Sequence, residues 1–314
     1  MKAMVMTQFG GPEVFEAREI PLPQPQAQEL LVKVYATSVN PMDCRIRQGP
    51  WPGLTPPAIL GYDVSGEAVA VGEGVNDFQV GDEVYYTPPP FTQGSDAEYH
   101  VVNEAIVARK PSTLSHLEAA SIPLVGNMAW DALARAQLQA GETILIHGGA
   151  GGVGSLAIQL AKAREATVLT TCRSPHREFV KSLGADEVID YTQEDTFAVV
   201  NQRTQGAGVD VVLDTVGKEI LSKSIAVTKP FGRLVTMVGQ TGDMTRGVYK
   251  NLTIHLVMIQ RARSTLDALR SLIEQGRIKP VVDTVLPLYE VAQAHRRLEE
   301  GGVRGKIMLQ VKED

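Results

Sequence analysis

The sequence predicts a doubly wound α/β fold with a parallel sheet, accompanied by a β-rich domain, and three features predict it. Residues 142–154, ETILIHGGAGGVG, run from a short β-branched apolar segment into Gly149, Gly151 and Gly154 on a G-x-G-x-x-G spacing, and residues 155–163 (SLAIQLAKA) follow with helical periodicity. From residue 143 onward strand and helix signals alternate, the pattern of a parallel sheet wound on both faces. Residues 1–110 instead carry strand signals broken by proline- and glycine-rich turns.

In chain order, residues 30–36 (LLVKVYA) and 64–71 (VSGEAVAV) read as strands, as do 81–86 (GDEVYY) and 96–102 (DAEYHVV). The proline run at 88–90 is a loop, because proline cannot donate to a central ladder. At Ser115 the character changes. Ser115 is placed as an N-cap with Glu118 three residues on, a capping box that opens a helix over 115–120. A second helix is expected over 125–136. The alternation then runs strand 143–146, helix from 155, strand 167–171, helix 175–183, strand 187–189, helix 195–202 and strand 209–214. A helix over 219–227 and a strand over 233–238 extend it. Helices over 266–275 and 290–299 and a strand over 307–311 complete the chain.

The glycine stretch has a physical reading. The first glycine allows a tight turn out of the strand, the second lets backbone approach a pyrophosphate, and the third lets helix and strand pack closely. The phosphates then meet the free N–H groups of the helix N-terminus. A glycine-rich turn between two core elements is the plain alternative; strand, glycines and helix in that order favour the dinucleotide reading.

Composition bounds the rest. A chain of 314 residues can bury two cores, and 44% hydrophobic residues with mixed charge indicate a soluble globular protein. A net charge of -6 gives no footprint for nucleic acid or an anionic membrane. No apolar run reaches the roughly 18 residues that a membrane span needs. The first residues, MKAMVMTQFGGPEVFE, lack a signal-peptide core, so a cytoplasmic protein with Cys44 and Cys172 as reduced thiols is expected.

The segments SVNPMD (38–43), ILGYDVSG (59–66), GDEV (81–84), EAASIP (118–123), the glycine stretch, SLGADEVID (182–190), DVVLDTVG (210–217) and RGKIMLQV (304–311) together resemble the zinc-independent, quinone-oxidoreductase type of medium-chain dehydrogenase/reductase. The resemblance implies a GroES-like catalytic domain over residues 1–120 and 260–314, a Rossmann dinucleotide-binding domain over 121–259, and an active site in the cleft. It also implies that Gly149, Ala150, Gly151, Gly152, Val153 and Gly154 hold the cofactor, with Val216, Val238 and Gly239 as further contacts.

Departures from the family pattern decide the chemistry. Zinc alcohol dehydrogenases of the family carry a cysteine where this chain has Asn40, a His-Glu pair at Tyr62–Asp63, and a further ligand near Leu124. These residues supply neither the thiolate nor the imidazole that zinc prefers. The lobe that holds structural zinc is replaced by a short loop, 87–95, so no metal is expected. Without a Lewis acid to ionise an alcohol, reduction of an activated conjugated double bond is favoured over alcohol oxidation.

NADPH is the expected cofactor. An acid about 20 residues past the glycines would grip a ribose 2′-hydroxyl. Here the strand over 167–171 leads to Arg173, His176 and Arg177, with no carboxylate before Glu178. Arginine suits a phosphate through paired, charge-assisted hydrogen bonds. In similar reductases a basic residue falls near His176, and a tyrosine at the place of Tyr191 packs by the adenosine phosphate. A solvated helix start is the alternative for Arg173 and Arg177.

For the substrate, the resemblance places Asn40 beside the nicotinamide, where its amide can donate to a carbonyl oxygen. Arg45 stands near the basic residue of alkenal-reductase-like relatives and could stabilise an enolate; a surface salt bridge is the alternative. Tyr62 is read either as facing the cleft or as a packed core tyrosine. Met128 replaces a threonine common near the nicotinamide. Trp51, Phe91 and Tyr249 are candidates to line an apolar pocket. His116, His147 and His255 show no ligand spacing and are read as structural.

The expected function is NADPH-dependent reduction of a quinone or an α,β-unsaturated carbonyl. A nicotinamide-binding sensor or structural protein with little turnover is the alternative, and a zinc alcohol dehydrogenase is a distant third. The apolar segment 250–259 (KNLTIHLVMI) is expected to be an edge strand that pairs in a homodimer.

Overall fold

The structure, a computed structural model, describes all residues except 52, 91, 313 and 314. The chain divides into two compact units. The first comprises Met1–Leu124, Arg261–Gly276 and Pro280–Asp314; the second comprises Val125–Gln260 and Arg277–Lys279.

The second unit is built on a six-stranded parallel sheet. Its order is Glu187–Asp190, Thr167–Cys172, Thr143–His147, Val209–Asp214, Thr228–Thr236 and Thr253–Leu256. Numbered along the chain from Thr143–His147, this is the 3-2-1-4-5-6 order of a Rossmann sheet. The order reverses between Thr143–His147 and Val209–Asp214, where ligands bind at the carboxyl ends of the strands. The inner strands Thr143–His147, Thr167–Cys172 and Val209–Asp214 are buried on both faces over most of their length, as central parallel strands are. Leu145, Leu169, Ile189, Val212 and Leu234 form one cluster across the sheet, each 4% exposed or less. Each such side chain contributes about 1.5–3 kcal/mol through burial.

The first unit is mainly antiparallel. A seven-stranded sheet runs Val282–Pro287, Lys306–Gln310, Glu29–Val39, Val64–Val71, Glu83–Tyr86 and Ala108–Arg109, with Tyr99–Asn103 also pairing Glu29–Val39. A smaller sheet joins Phe15–Glu19, Lys2–Met6 and Ala58–Ile59. Two registers on the long strand set the site. Ala36 faces Ser65 in the antiparallel ladder, so Asp63 falls beside Ser38. Ile307 faces Val39, so Lys306 falls beside Asn40.

Elements differ from the sequence reading mostly at their ends. The helix expected from residue 155 begins at Gly152, and the strand expected over 233–238 is Thr228–Thr236. The helix expected over 175–183 is a 3-10 turn, Ser174–His176, followed by Arg177–Ser182. Within 250–259 only Thr253–Leu256 is a strand; the preceding 3-10 turn, Thr245–Lys250, ends at Asn251 in the left-handed region at φ 51°. The N-terminal hairpin and the helix Pro41–Gln48 were not anticipated. That helix starts on a proline and has eight residues, too few to show a periodicity. The capping box at Ser115 is present, with Ser115 Oγ accepting from the Glu118 N–H at 3.3 Å.

Candidate functional site

In the second unit the glycines differ in what they do. The tight turn belongs to Gly148, at φ 80°, and not to Gly149 as the spacing suggests. Gly149 is required by a close approach, since a Cβ there would lie 2.0 Å from Thr170 Oγ1. At Gly154 a Cβ would lie 2.2 Å from the Gly148 carbonyl oxygen, so this glycine lets the helix Gly152–Ala163 start against the turn. A Cβ at Gly151 would meet nothing nearer than 3.6 Å. Packing does not demand glycine at that position, so its bare backbone is open to a ligand. Gly151 is the N-cap and offers no side chain to the first-turn N–H groups of Gly152, Val153 and Gly154, which a helix leaves without internal acceptors. Together with half-buried Val153 and buried Ala150, these groups could hold an anion such as a phosphate.

Beyond the strand Thr167–Cys172 the basic residues separate into two roles. Exposed Arg173 donates through Nε to the Tyr191 hydroxyl at 2.9 Å, leaving the rest of its fork outward. Arg177 is held by Glu194 at 2.9 Å. His176 is half-buried in the 3-10 turn. The acid in this region is Asp190, at the end of the neighbouring strand. The Ser174 hydroxyl, then the Thr192 hydroxyl and N–H, hold its carboxyl down to about 2. Its oxygens are thus engaged locally.

Two further strand ends complete this edge. Buried Asp214 accepts from the N–H groups of Val216 (2.8 Å) and Gly217 (3.0 Å) and from Gln240 Nε2 (2.8 Å). It ties the loop after one strand to the loop after the next. Val216 is 54% exposed. Val238 and Gly239 line a hollow of about 400 Å³ with Thr236, Leu256 and Met258. His147 is structural: it pairs with Ser224 Oγ at 3.0 Å, and burial pushes its imidazole down to about 4.

In the first unit a polar cluster lies under the start of the helix Pro41–Gln48. Asp63, fully buried, accepts from Ser38 Oγ (2.6 Å), Asn40 Nδ2 (3.0 Å), the Leu124 N–H (2.7 Å) and Lys306 Nζ (3.2 Å). Lys306 Nζ also donates to Asn40 Oδ1. The Asn40 N–H donates to Asp43 Oδ2 at 2.5 Å. Burial pushes the Asp43 carboxyl up to about 7, opposed by the Asn40 hydrogen bond and by Lys306.

This geometry revises several expectations. Asn40, expected as a donor to a carbonyl oxygen, is 1% exposed and its amide is gripped at both ends. Tyr62 is the packed core tyrosine of the two readings: at 1% exposure it joins Met6, Ile46, Leu54 and Leu60. Trp51 packs partly on that same cluster, Phe91 lies outside the described residues, and Tyr249 is 86% exposed on the second unit. Arg45 is exposed on its helix and makes no hydrogen bond or ion pair among the described residues, so the surface-salt-bridge reading finds no partner. Lys306 was missed. Its signal is a lysine at the head of the strand KIMLQ, followed by three apolar residues. Among the described residues no group of three or more His, Cys, Asp or Glu is placed to hold a metal ion.

Fold and sites together define a dehydrogenase built from an alcohol-dehydrogenase-like unit and a dinucleotide-binding unit. Residues 26–112 match the alcohol dehydrogenase GroES-like domain, and residues 183–309 match a family described as zinc-binding dehydrogenase. The chain is 36% identical over 322 residues to the NADPH-dependent alkenal/one oxidoreductase of Arabidopsis thaliana, covering 98% of this chain and 79% of that protein. It is similar to the solved quinone oxidoreductase of Coxiella burnetii, with a TM-score of 0.91, 34% identity and 99% of each chain covered. A structure titled NAD-dependent alcohol dehydrogenase is also similar, with a TM-score of 0.93, 35% identity, and 99% of this chain and 100% of the other covered. The chain belongs to the medium-chain dehydrogenase/reductase family.

Proposed function

We propose that this chain is an NADPH-dependent oxidoreductase that reduces a conjugated enone or a quinone without a metal. One observation carries the reading. Where zinc members have ligands, this chain has Asn40, buried Tyr62 and an Asp63 carboxylate surrounded by four donors, one of them an ammonium. Such a set offers neither thiolate nor imidazole, and its one carboxylate is already neutralised by the Lys306 ammonium. The relatives named for alkenal/one and quinone reduction support the same direction.

Bound NADPH supplies the hydride. Residues 149–154 receive the pyrophosphate, with Gly151 admitting it to the backbone and the first-turn N–H groups donating. Arg173, backed by Tyr191, takes the 2′-phosphate; His176 and Arg177 add positive potential; Val216, Val238 and Gly239 flank the nicotinamide end. The engagement of Asp190 by Thr192 supports NADP over NAD, because its oxygens are taken up locally and are not free to grip a ribose 2′-hydroxyl.

Conjugated acceptors are already electrophilic, so the protein aligns two partners and stabilises charge growing on oxygen. One N–H of Asn40 Nδ2 goes to Asp63, and its second is the donor assigned to that oxygen. Arg45, which makes no ion pair among the described residues, adds a cation. Tyr62 contributes packing. Cys44 is a poor acid, since burial pushes its thiol up to about 12, and the α-carbon proton comes from water.

The exposed edge strand Thr253–Leu256, with Leu256 79% and nearby Met258 69% exposed, is assigned to a homodimer contact; light scattering at micromolar concentration checks it. A cytoplasmic location fits two free, buried cysteines.

Stopped-flow oxidation of NADPH against a panel of enones, quinones and saturated aldehydes tests the function. Fast turnover is expected with the conjugated acceptors alone. Robust oxidation of simple alcohols with NADP, or one tightly bound zinc whose removal abolishes activity, would overturn the reading.

A further inference from the structure

Asp63 is 0%, Asp43 1% and Asp96 1% exposed, and the cation that meets Asp63 is Lys306, 4% exposed. An ammonium has three hydrogens, and three oxygens meet this one: Asp63 Oδ2 at 3.2 Å, the Val39 carbonyl at 3.4 Å, and Asn40 Oδ1. The register of the last strand delivers it there, since Ile307 opposite Val39 puts Lys306 opposite Asn40.

Asn40 therefore has a pure donor at one end and a pure acceptor at the other. A side-chain amide between ambiguous neighbours can sit either way round. Neither neighbour is ambiguous here. The oxygen must face Lys306, and the NH2 must face Asp63. Turned over, the amide would set its oxygen against a carboxylate and its N–H groups against an ammonium. Ser38 and the Leu124 N–H hold Asp63 from two other segments, so the carboxylate does not turn to follow the amide. No other acceptor among the described residues takes the second N–H of Nδ2.

We propose that Lys306 is a positioning residue for the reduction: with Asp63 it fixes the Asn40 amide so that its second N–H is presented to the substrate oxygen. Its positive charge also draws electron density toward the amide oxygen, which makes that N–H a stronger donor. The inference rests on the reading of Asn40 as that donor.

A charge pair that only filled space would be replaceable by matched neutral side chains, which also relieve the desolvation cost of burying ions. The double variant Asp63→Asn/Lys306→Met applies this test. It is expected to melt close to wild type and to bind NADPH with unchanged affinity by fluorescence titration. Its kcat should fall about tenfold to a hundredfold, with KM for the enone nearly unchanged. Adding Asn40→Ala should then cost less than about threefold more, because an amide no longer held in place has little left to lose. If Asn40→Ala alone keeps full kcat, the donor reading fails and this inference with it. If Asn40→Ala is impaired but the folded double variant keeps wild-type kcat, or if the losses multiply, the positioning role alone is overturned. Should that double variant not fold, Asp63→Asn/Lys306→Gln serves. Both neighbours of the Asn40 amide are then amides that can donate or accept, so its orientation is no longer fixed; kcat should drop several-fold at constant NADPH affinity, and wild-type kcat would overturn the proposal.

Discussion

The glycine cradle of the second unit and the polar cluster of the first are built by opposite means. The cradle is backbone: one strand, one turn and one helix within residues 143–163, with glycine wherever a Cβ would obstruct. The cluster is side chain: Ser38, Asn40 and Asp43 from one segment, with Asp63, Leu124 and Lys306 from three others, Lys306 lying 266 residues from the Asn40 it bonds. Backbone sites depend on local conformation and fail by steric clash. Side-chain clusters depend on register and charge balance and fail by an unpaired group.

The largest expected effect tests the cradle. Gly154→Val places its Cβ 2.2 Å from the Gly148 carbonyl oxygen, so the turn cannot keep its shape, and loss of folded protein is expected by circular dichroism. Gly151→Ala has room for its Cβ at 3.6 Å and should melt within a few degrees of wild type. It should nevertheless weaken NADPH binding about tenfold or more, since one contact worth about 1.4 kcal/mol is a factor of ten. If Gly151→Ala binds normally, the open backbone there is not a phosphate contact.

Cofactor choice comes next. Arg173→Ala should lose about tenfold to a hundredfold in NADPH affinity and little for NADH, from charge-assisted hydrogen bonds of about 1.5–3 kcal/mol. Arg177→Ala should lose less, because Glu194 already holds that guanidinium. Equal losses for both cofactors would remove Arg173 from the 2′-phosphate site.

The smallest effect probes the cluster by pH. Asp43 moves from 3.8 unfolded to about 7 folded, chiefly through burial, so the folded state favours its neutral form. That contribution is fully present below the unfolded value and is lost as pH rises through the folded one. The melting temperature of wild type relative to Asp43→Asn should therefore decline between about pH 4 and pH 7, by a few degrees. A flat difference would mean that the buried cluster tolerates Asp43 as an ion.

Legibility follows the same division. The strand-turn-helix, the alternation through Asp214 and the Ser115 capping box were readable because each signal spans only a few neighbouring residues. The assignment of the turn to Gly149 was off by one residue, since G-x-G-x-x-G spacing does not say which glycine takes a positive φ; Gly148 does, and Gly149 answers to Thr170 on the adjacent strand. Tyr62 gave no hint of which side it faced, because that depends on Met6 and Ile46 packing against it.

The sequence by itself determined the Rossmann alternation, the glycine cradle and the basic stretch after Thr167–Cys172, because periodicity and backbone freedom are local properties. Only the tertiary structure decided that Arg173 is outward while Arg177 is paired, and that Asp190 is engaged by Ser174 and Thr192. It alone also brought Lys306 to Asn40. A lysine at the head of an apolar strand becomes part of a site only when the antiparallel register of Ile307 and Val39 sets it against an amide and a buried carboxylate. Registers between distant strands follow from the packing of both faces at once, and no short stretch of chain encodes them.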